Sequence, residues 1–265
     1  MQRYNFSARL LCTTKRIRRL KTTGTEAFRP FHTAKSHRNS WKIVQRGQSW
    51  VKSVSQRSYG AYDEENRRIK EISDELQRLC RLYEEEPRDG KGNGSRFEIE
   101  QRAAEQYAKS VGMWIPMDKV FDLGEPGPSG NENDTYVAKD TIFKVNNLLN
   151  SGSIHSLLAK IILHNLVFPN TAYKLIGFAG YDGRSVMPVL EQERICNAQP
   201  ATQIMIDTYM SALGFTKENN EGRYANGTYV VWDVVPRNVL VDADGDMYVV
   251  DAEIKNLCDS TEINI

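Results

Sequence analysis

Two periodicities divide the chain. Over residues 63–86 apolar side chains recur every three or four positions, at Ile69, Ile72, Leu76, Leu79 and Tyr83, which predicts an amphipathic helix. Asp63, Glu64 and Glu65 lead its first turn, the charge a helix N-terminus favours. Pro87 and the loop Arg88–Gly94 end it. A second helix is expected over about 96–110, with Phe97, Ala104, Tyr107 and Ala108 on one face. The two helices read as an accessory hairpin that packs on the strand-rich remainder of the chain. After Trp114 the period shortens. Lys119–Leu123, Thr135–Lys139, Thr141–Val145, Tyr173–Phe178, Ser185–Leu190 and Thr228–Trp232 read as strands, and 153–167 and Ala201–Leu213 as helices. The last two apolar runs, Val239–Val241 and Met247–Val250, flank Asp242-Ala-Asp-Gly-Asp246, a hairpin turn signal.

That final hairpin has a chemical consequence. It carries its outer ends to one side, so Asn238 and Asp251 should meet, with Asp233 on the preceding loop. Oxygen-bearing side chains converging on one spot suit a hard cation and a phosphate. The plainer alternative is three polar residues capping strand ends, which turns commonly require. A calcium loop starting at Asp242 is excluded, because Met247 stands at the sixth position, where that loop needs glycine.

Upstream lies Gly124-Glu-Pro-Gly-Pro-Ser-Gly130, between two predicted strands. Gly124, Gly127 and Gly130 would let backbone N–H groups approach phosphate oxygens, although Gly/Pro runs are mostly plain loops. Lys144 stands in the apolar run Ile142-Phe143-Lys144-Val145. It is either an edge-strand lysine pointing outward or a cation for nucleotide phosphates. The helix over 153–167 holds no acid, and between Lys144 and Glu191 the only acid is Asp182, in a turn. His155 and His164 on that helix read as satisfied polar residues rather than ligands.

Composition changes the picture mainly at the N-terminus. The 265 residues, 40% hydrophobic, suffice for one sizeable domain with appendages. The net charge of +1 hides a split: residues 1–58 hold fourteen Lys/Arg and one acid, Glu26, a net of +13, while 59–265 hold 21 against 33, a net of −12. The arm, with the cluster Arg16, Arg18, Arg19 and Lys21 and with Trp41 and Trp50, reads as a disordered solvated tail. The alternative is nucleic-acid contact through phosphates, with the indoles stacking on bases. Cys12, Cys80, Cys196 and Cys258 form no CxxC pair, which speaks for a reducing, cytoplasmic setting and against a zinc or disulfide framework. No apolar stretch reaches the roughly 18–20 residues of a membrane span, so no membrane partner is expected. The Arg-, Ser- and Thr-rich, acid-poor start also fits an organelle transit peptide.

The order and spacing of these pieces resemble the protein-kinase superfamily. Asp233 and Asn238 are five apart, as in its catalytic loop, and Asp251 falls where the family places its second metal-binding Asp. More narrowly, the chain resembles the kinase-like domain of polyvalent proteins, the multi-domain proteins of phages and conjugative elements. The residues carrying this resemblance are Gly130-Asn-Glu-Asn-Asp134, Lys144-Val-Asn-Asn147, His164-Asn-Leu-Val-Phe-Pro169, Thr171-Ala-Tyr173, Gly177-Phe178, Gln192, Gly214-Phe215 and Asp233-Val-Val-Pro-Arg-Asn-Val-Leu240, spread over about 96–256.

The resemblance implies an α+β, two-lobed protein-kinase-like fold with a reduced C-lobe, preceded by helices and the basic arm. The divisions it suggests are 1–58 for the arm, 59–95 for an accessory helix and loop, and 96–265 for the kinase-like domain, with an N-lobe over about 113–192 and a C-lobe over about 193–265. It implies ATP and Mg²⁺ as cofactors. Lys144 would position phosphates under the Gly124, Gly127 and Gly130 loop. Asp233 would orient or deprotonate an acceptor hydroxyl, Asn238 and Asp251 would hold the metal, and Glu191 and Gln192 would begin the hinge that meets adenine. Departures accompany the match. Asp251-Ala-Glu253 replaces Asp-Phe-Gly, Val231-Trp232 replaces His-Arg, the helix lacks its Glu, and fourteen residues after Asp251 leave no activation segment. The sequence supports two functions. One is a phosphotransferase of a mobile element with an unidentified acceptor. The other is a non-catalytic kinase-like module with a nucleic-acid-binding arm.

Overall fold

Helix α1 (Tyr59–Glu85) and helix α2 (Arg96–Ser110) open the part of the chain that the computed structural model describes, namely residues 59–85, 94–183, 185–219 and 221–257. The expectations placed on residues 1–58, and on the loop Arg88–Gly94 as far as residue 93, lie outside the described residues. Helix α2 starts on a capping box: the Glu98 N–H donates to Ser95 Oγ at 3.3 Å, and the Ser95 N–H donates back to Glu98 Oε2 at 2.7 Å. The two helices meet through Tyr83, Ile99 and Ala103.

Six strands then form one sheet: β1 (Trp114–Pro116), β2 (Glu125–Pro126), β3 (Asn133–Val137), β4 (Thr141–Asn146), β5 (Tyr173–Gly180) and β6 (Val186–Glu193), in the order β1-β5-β6-β4-β3-β2. Only the β1–β5 pair is parallel. Helix α3 (Ile154–Val167) crosses one face, burying Ile154, Leu157, Leu158 and Ile161 against Leu175, Phe178, Val186 and Leu190. Ile69, Ile72 and Leu76 of α1 join the same core, so the accessory helices brace α3 from behind. Each such side chain contributes about 1.5–3 kcal/mol by leaving water.

The opposite face of the sheet corrects one expectation. Lys119–Leu123 is not a strand; Met117–Leu123 is a 3₁₀ helix. Met117, Val120 and Leu123 recur every third residue, the repeat at which 3₁₀ side chains eclipse, and all three pack on Tyr136, Val145, Ala179 and Val189. A second correction concerns β6. It runs three residues past its expected end at Leu190, through Glu193, because β4 pairs with it that far (Thr141 opposite Glu193).

The second lobe is small. Strand β7 (Gln199–Pro200) leads into helix α4 (Gln203–Ala212), followed by β8 (Thr216–Lys217), β9 (Tyr224–Ala225), β10 (Tyr229–Trp232), β11 (Val239–Val241), β12 (Met247–Val249) and β13 (Glu253–Asn256). They make two sheets, β13-β10-β9-β8 and β12-β11-β7. Ile206 and Met210 of α4 share a core with Phe168, Tyr224, Val231, Val239, Val249 and Ile254. The first lobe is packed on both faces of its sheet and the second around a core of its own, giving a two-lobed α+β fold with a reduced second lobe, as the resemblance implies. Among the described residues no helix is long and apolar enough to cross a membrane.

Candidate active site

Two strand pairings set the site. In the predicted hairpin Val239 stands opposite Val249, and the Val250 N–H donates to the Asn238 carbonyl at 2.9 Å. In the other sheet Trp232 stands opposite Glu253. The first pairing brings Asn238 beside the residue before Asp251; the second carries Asp233 towards Ala252, the residue after Asp251. Asp233, Asn238 and Asp251 therefore leave their strands at a common end and line one cleft of about 550 Å³, together with Lys144 and Gly130.

The backbone at Asp233 is unusual. Its φ is 60°, the left-handed region, which Asp tolerates better than most residues. Val234 then donates to the Gly222 carbonyl at 3.1 Å. Gly222 itself has φ 72°, and a Cβ there would sit 2.6 Å from the Val234 oxygen, so only glycine lets this loop close. The Asp233 carboxylate accepts from Asn238 Nδ2 at 2.8 Å and is ion-paired to Arg237. Asn238 also donates to the Asp233 carbonyl at 2.9 Å. Both bonds use the amide nitrogen of Asn238, which leaves its oxygen as an acceptor.

Lys144 does not point outward. Strand β4 lies inside the sheet, between β6 and β3, and Lys144 is buried on its cleft side. Its ammonium donates to the Tyr173 hydroxyl at 2.8 Å and to the Val250 carbonyl at 3.1 Å. Burial pushes the Lys144 pKa down, and the nearby Asp251 charge opposes that. The same burial holds the His164 imidazole down at about 3, with Lys144 repelling its charged form. His164 lies 3.2 Å from both Thr171 oxygens, as expected of a satisfied core histidine.

The three glycines part company. Gly124 and Gly127 pack against β3: a Cβ would lie 2.7 Å from the Val137 carbonyl and 2.7 Å from Thr135 Oγ1, respectively. They serve strand pairing and lie outside the cleft lining. Gly130, at the loop tip, faces open space and lines the cleft with Pro128 and Ser129. Glu191 and Gln192 are also outside it. Because β6 continues through them, their backbones belong to the sheet. The Gln192 side chain is buried and donates to the Thr171 carbonyl at 2.7 Å, while Glu191 pairs with Lys174. Glu191 and Gln192 are thus paired on both sides, with β4 and with β5.

Sequence reasoning missed a group of charges at this cleft: Glu132 and Glu253 line it, and Lys160 lines a small cavity together with Lys144 and Asp251. Lys160 of α3 lies 2.6 Å from Glu253 Oε1 and 3.4 Å from Glu132 Oε2. Burial draws the Lys160 ammonium down, but Glu253, Glu132 and Asp251 outweigh it and the pKa rises. The available signal was that Lys160 is the only Lys, Arg, Asp or Glu in α3. Glu132 sits inside the run Gly130–Asp134, and Glu253 lies two residues after Asp251.

A hard cation fits these donors in kind. Asp251 has no hydrogen-bond or ion-pair partner among the described residues, and the Asn238 amide oxygen is uncommitted. Among the described residues no three His, Cys, Asp or Glu side chains converge to hold a metal by themselves. A cation held by Asn238 and Asp251 therefore depends on further oxygens, such as those of a phosphate, as Mg²⁺ sites commonly do.

Comparison with curated proteins and with solved structures found no match. The profile of one family, described as Serine/Threonine/Tyrosine Kinase found in polyvalent proteins, matches residues 98–257, well over half the chain. That span contains every residue of the cleft and both sheet pairings that build it, and the chain belongs to this family of kinases found in polyvalent proteins.

Proposed function

We propose that the chain is an ATP- and Mg²⁺-dependent phosphotransferase of a mobile genetic element, acting in the cytoplasm on a hydroxyl acceptor. The observation that supports this best is the single cleft shared by Lys144, Asp233, Asn238 and Asp251, with the Asp251 carboxylate left unpartnered among the described residues. Asp233 is held by Asn238 and Arg237 and orients the acceptor hydroxyl or takes its proton. The acceptor oxygen bonds to the γ-phosphorus as the bond to the ADP oxygen breaks. Lys144, at the cleft wall, places positive charge beside the phosphates, and the loop tip at Gly130 offers backbone close by. Asn238 and Asp251 would hold Mg²⁺, which when bound neutralises charge on the phosphate oxygens. The net charge of +13 over residues 1–58 supports nucleic-acid phosphates as a further partner. The test is Mg²⁺-dependent ATP turnover. The reading expects turnover that Asp233→Ala and Asp251→Ala each abolish in folded protein; turnover that survives both substitutions contradicts it.

A further inference from the structure

Among the described residues Lys144 has no carboxylate partner. Among the described residues its ammonium reaches only the Tyr173 hydroxyl and the Val250 carbonyl. The one acid between Lys144 and Glu191, Asp182, is ion-paired to Lys109 of α2 at 2.7 Å and is not among the residues lining the cleft. The helix behind the cleft supplies a cation instead. Lys160 bridges Glu253 of β13 and Glu132 of the β2–β3 loop. Glu132 is held further by Asn150 Nδ2 at 3.1 Å and Ser151 Oγ at 3.0 Å.

The three partners sit on three separate elements, and each borders a piece of the site. Glu253 opens β13, two residues after Asp251, and its strand partner Trp232 immediately precedes Asp233. Glu132 belongs to the loop that carries Gly130 over the cleft. Lys160 is mounted on a helix that is fixed at its start and along its length. The Ile154 and His155 N–H groups donate to the Glu100 carboxylate at 3.0 Å each, and Asn165 bonds Asn66 of α1 at 3.0 Å. A short contact to Glu253 therefore refers the segment between β12 and β13, which carries Asp251, to a helix held at these points.

We propose that Lys160 is a positioning residue that sets Asp251 through Glu253, and ties the overlying loop to it through Glu132. The ion-pair logic of the site is thereby reversed: the helix carries the cation, and the strand and the loop carry the carboxylates. This rests on the phosphotransfer reading, in which Asp251 is a metal ligand. Groups that orient a metal ligand without touching the metal change metal affinity when removed. A purely structural ion pair changes stability alone.

The experiment measures the Mg²⁺ concentration that gives half of the ATP-induced rise in melting temperature. It uses the full chain and Lys160→Met, Lys160→Arg and Glu253→Gln. Lys160→Met and Glu253→Gln are expected to raise that concentration about 10-fold, with Lys160→Arg staying close to the wild type. Glu253 is partly exposed, so its amide variant carries the test if Lys160→Met does not fold. An unchanged Mg²⁺ requirement in folded Lys160→Met or Glu253→Gln overturns the positioning role and leaves the phosphotransfer reading standing. A wild-type chain that shows no Mg²⁺-dependent ATP shift overturns both.

Discussion

The Lys144 ammonium and the Tyr173 hydroxyl, 2.8 Å apart, both donate to one acceptor, the carbonyl of Val250. Val250 is the residue before Asp251, so two strands of the first lobe, β4 and β5, grip the backbone at the candidate metal ligand in the second. Tyr173→Phe keeps the ring and removes the hydroxyl. The expected cost is about 1 kcal/mol of stability in urea unfolding, with a loss of nucleotide affinity of roughly fivefold by calorimetry. Full affinity in Tyr173→Phe argues that this grip does not shape the site.

Gly222 is the remote support of Asp233. Alanine there combines φ 72° with a Cβ 2.6 Å from the Val234 oxygen, so the Asp233 loop must move. A shift of about 1 Å at a catalytic group costs roughly 100-fold in rate, and that is the fall in turnover expected for Gly222→Ala. Gly130→Ala, at a position open to solvent, is the control for stability and should leave the melting temperature unchanged.

Gln192 tests the corrected end of β6. Gln192→Leu removes the donor to the Thr171 carbonyl and should lower stability by about 1 kcal/mol. Nucleotide affinity per folded molecule should fall no further than in Tyr173→Phe, whose hydroxyl the Gln192 side chain also reaches. An affinity loss as large as that of a Lys144 variant returns Gln192 to the binding site.

His164 carries a pH dependence whose sign is fixed by its burial. Its folded-state pKa of about 3 lies below the value near 6.5 expected when unfolded. Between these values the unfolded chain binds the proton and the folded chain does not, so this residue lowers stability as pH falls from about 6.5 toward 3. The slope from one such proton reaches at most about 1.4 kcal/mol per pH unit. Urea midpoints at pH 7 and pH 5 should differ less in His164→Gln than in the wild type. Equal differences in both proteins place the His164 proton elsewhere.

Much of this site was legible because it is local. The turn Asp242–Asp246 between two apolar runs dictates a hairpin, and a hairpin dictates that Asn238 and Asp251 meet. Lys144 announced itself as a charge in an apolar strand. The rest depends on partners far away in sequence. Glu132, Lys160 and Glu253 are distributed over 121 residues, and no periodicity reports that their charges meet. Gly124 and Gly127 looked like phosphate-loop glycines because close strand pairing and close phosphate approach both call for the missing Cβ. The 3₁₀ repeat of Met117, Val120 and Leu123 was hidden because its span is short and Phe121, apolar but exposed, interrupts the period. The strand end at Glu193 is set by β4, not by any signal within β6 itself.

On the phosphotransfer reading, Asp251 and Asn238 complete a cation site only when phosphate oxygens are present. Calorimetric titration of the full chain with ATP, with and without Mg²⁺, tests it most directly. Mg²⁺ should tighten ATP binding at least about 10-fold, and Asp251→Ala should abolish this gain while leaving the protein folded. ATP binding that ignores Mg²⁺, or a gain that persists in Asp251→Ala, contradicts it.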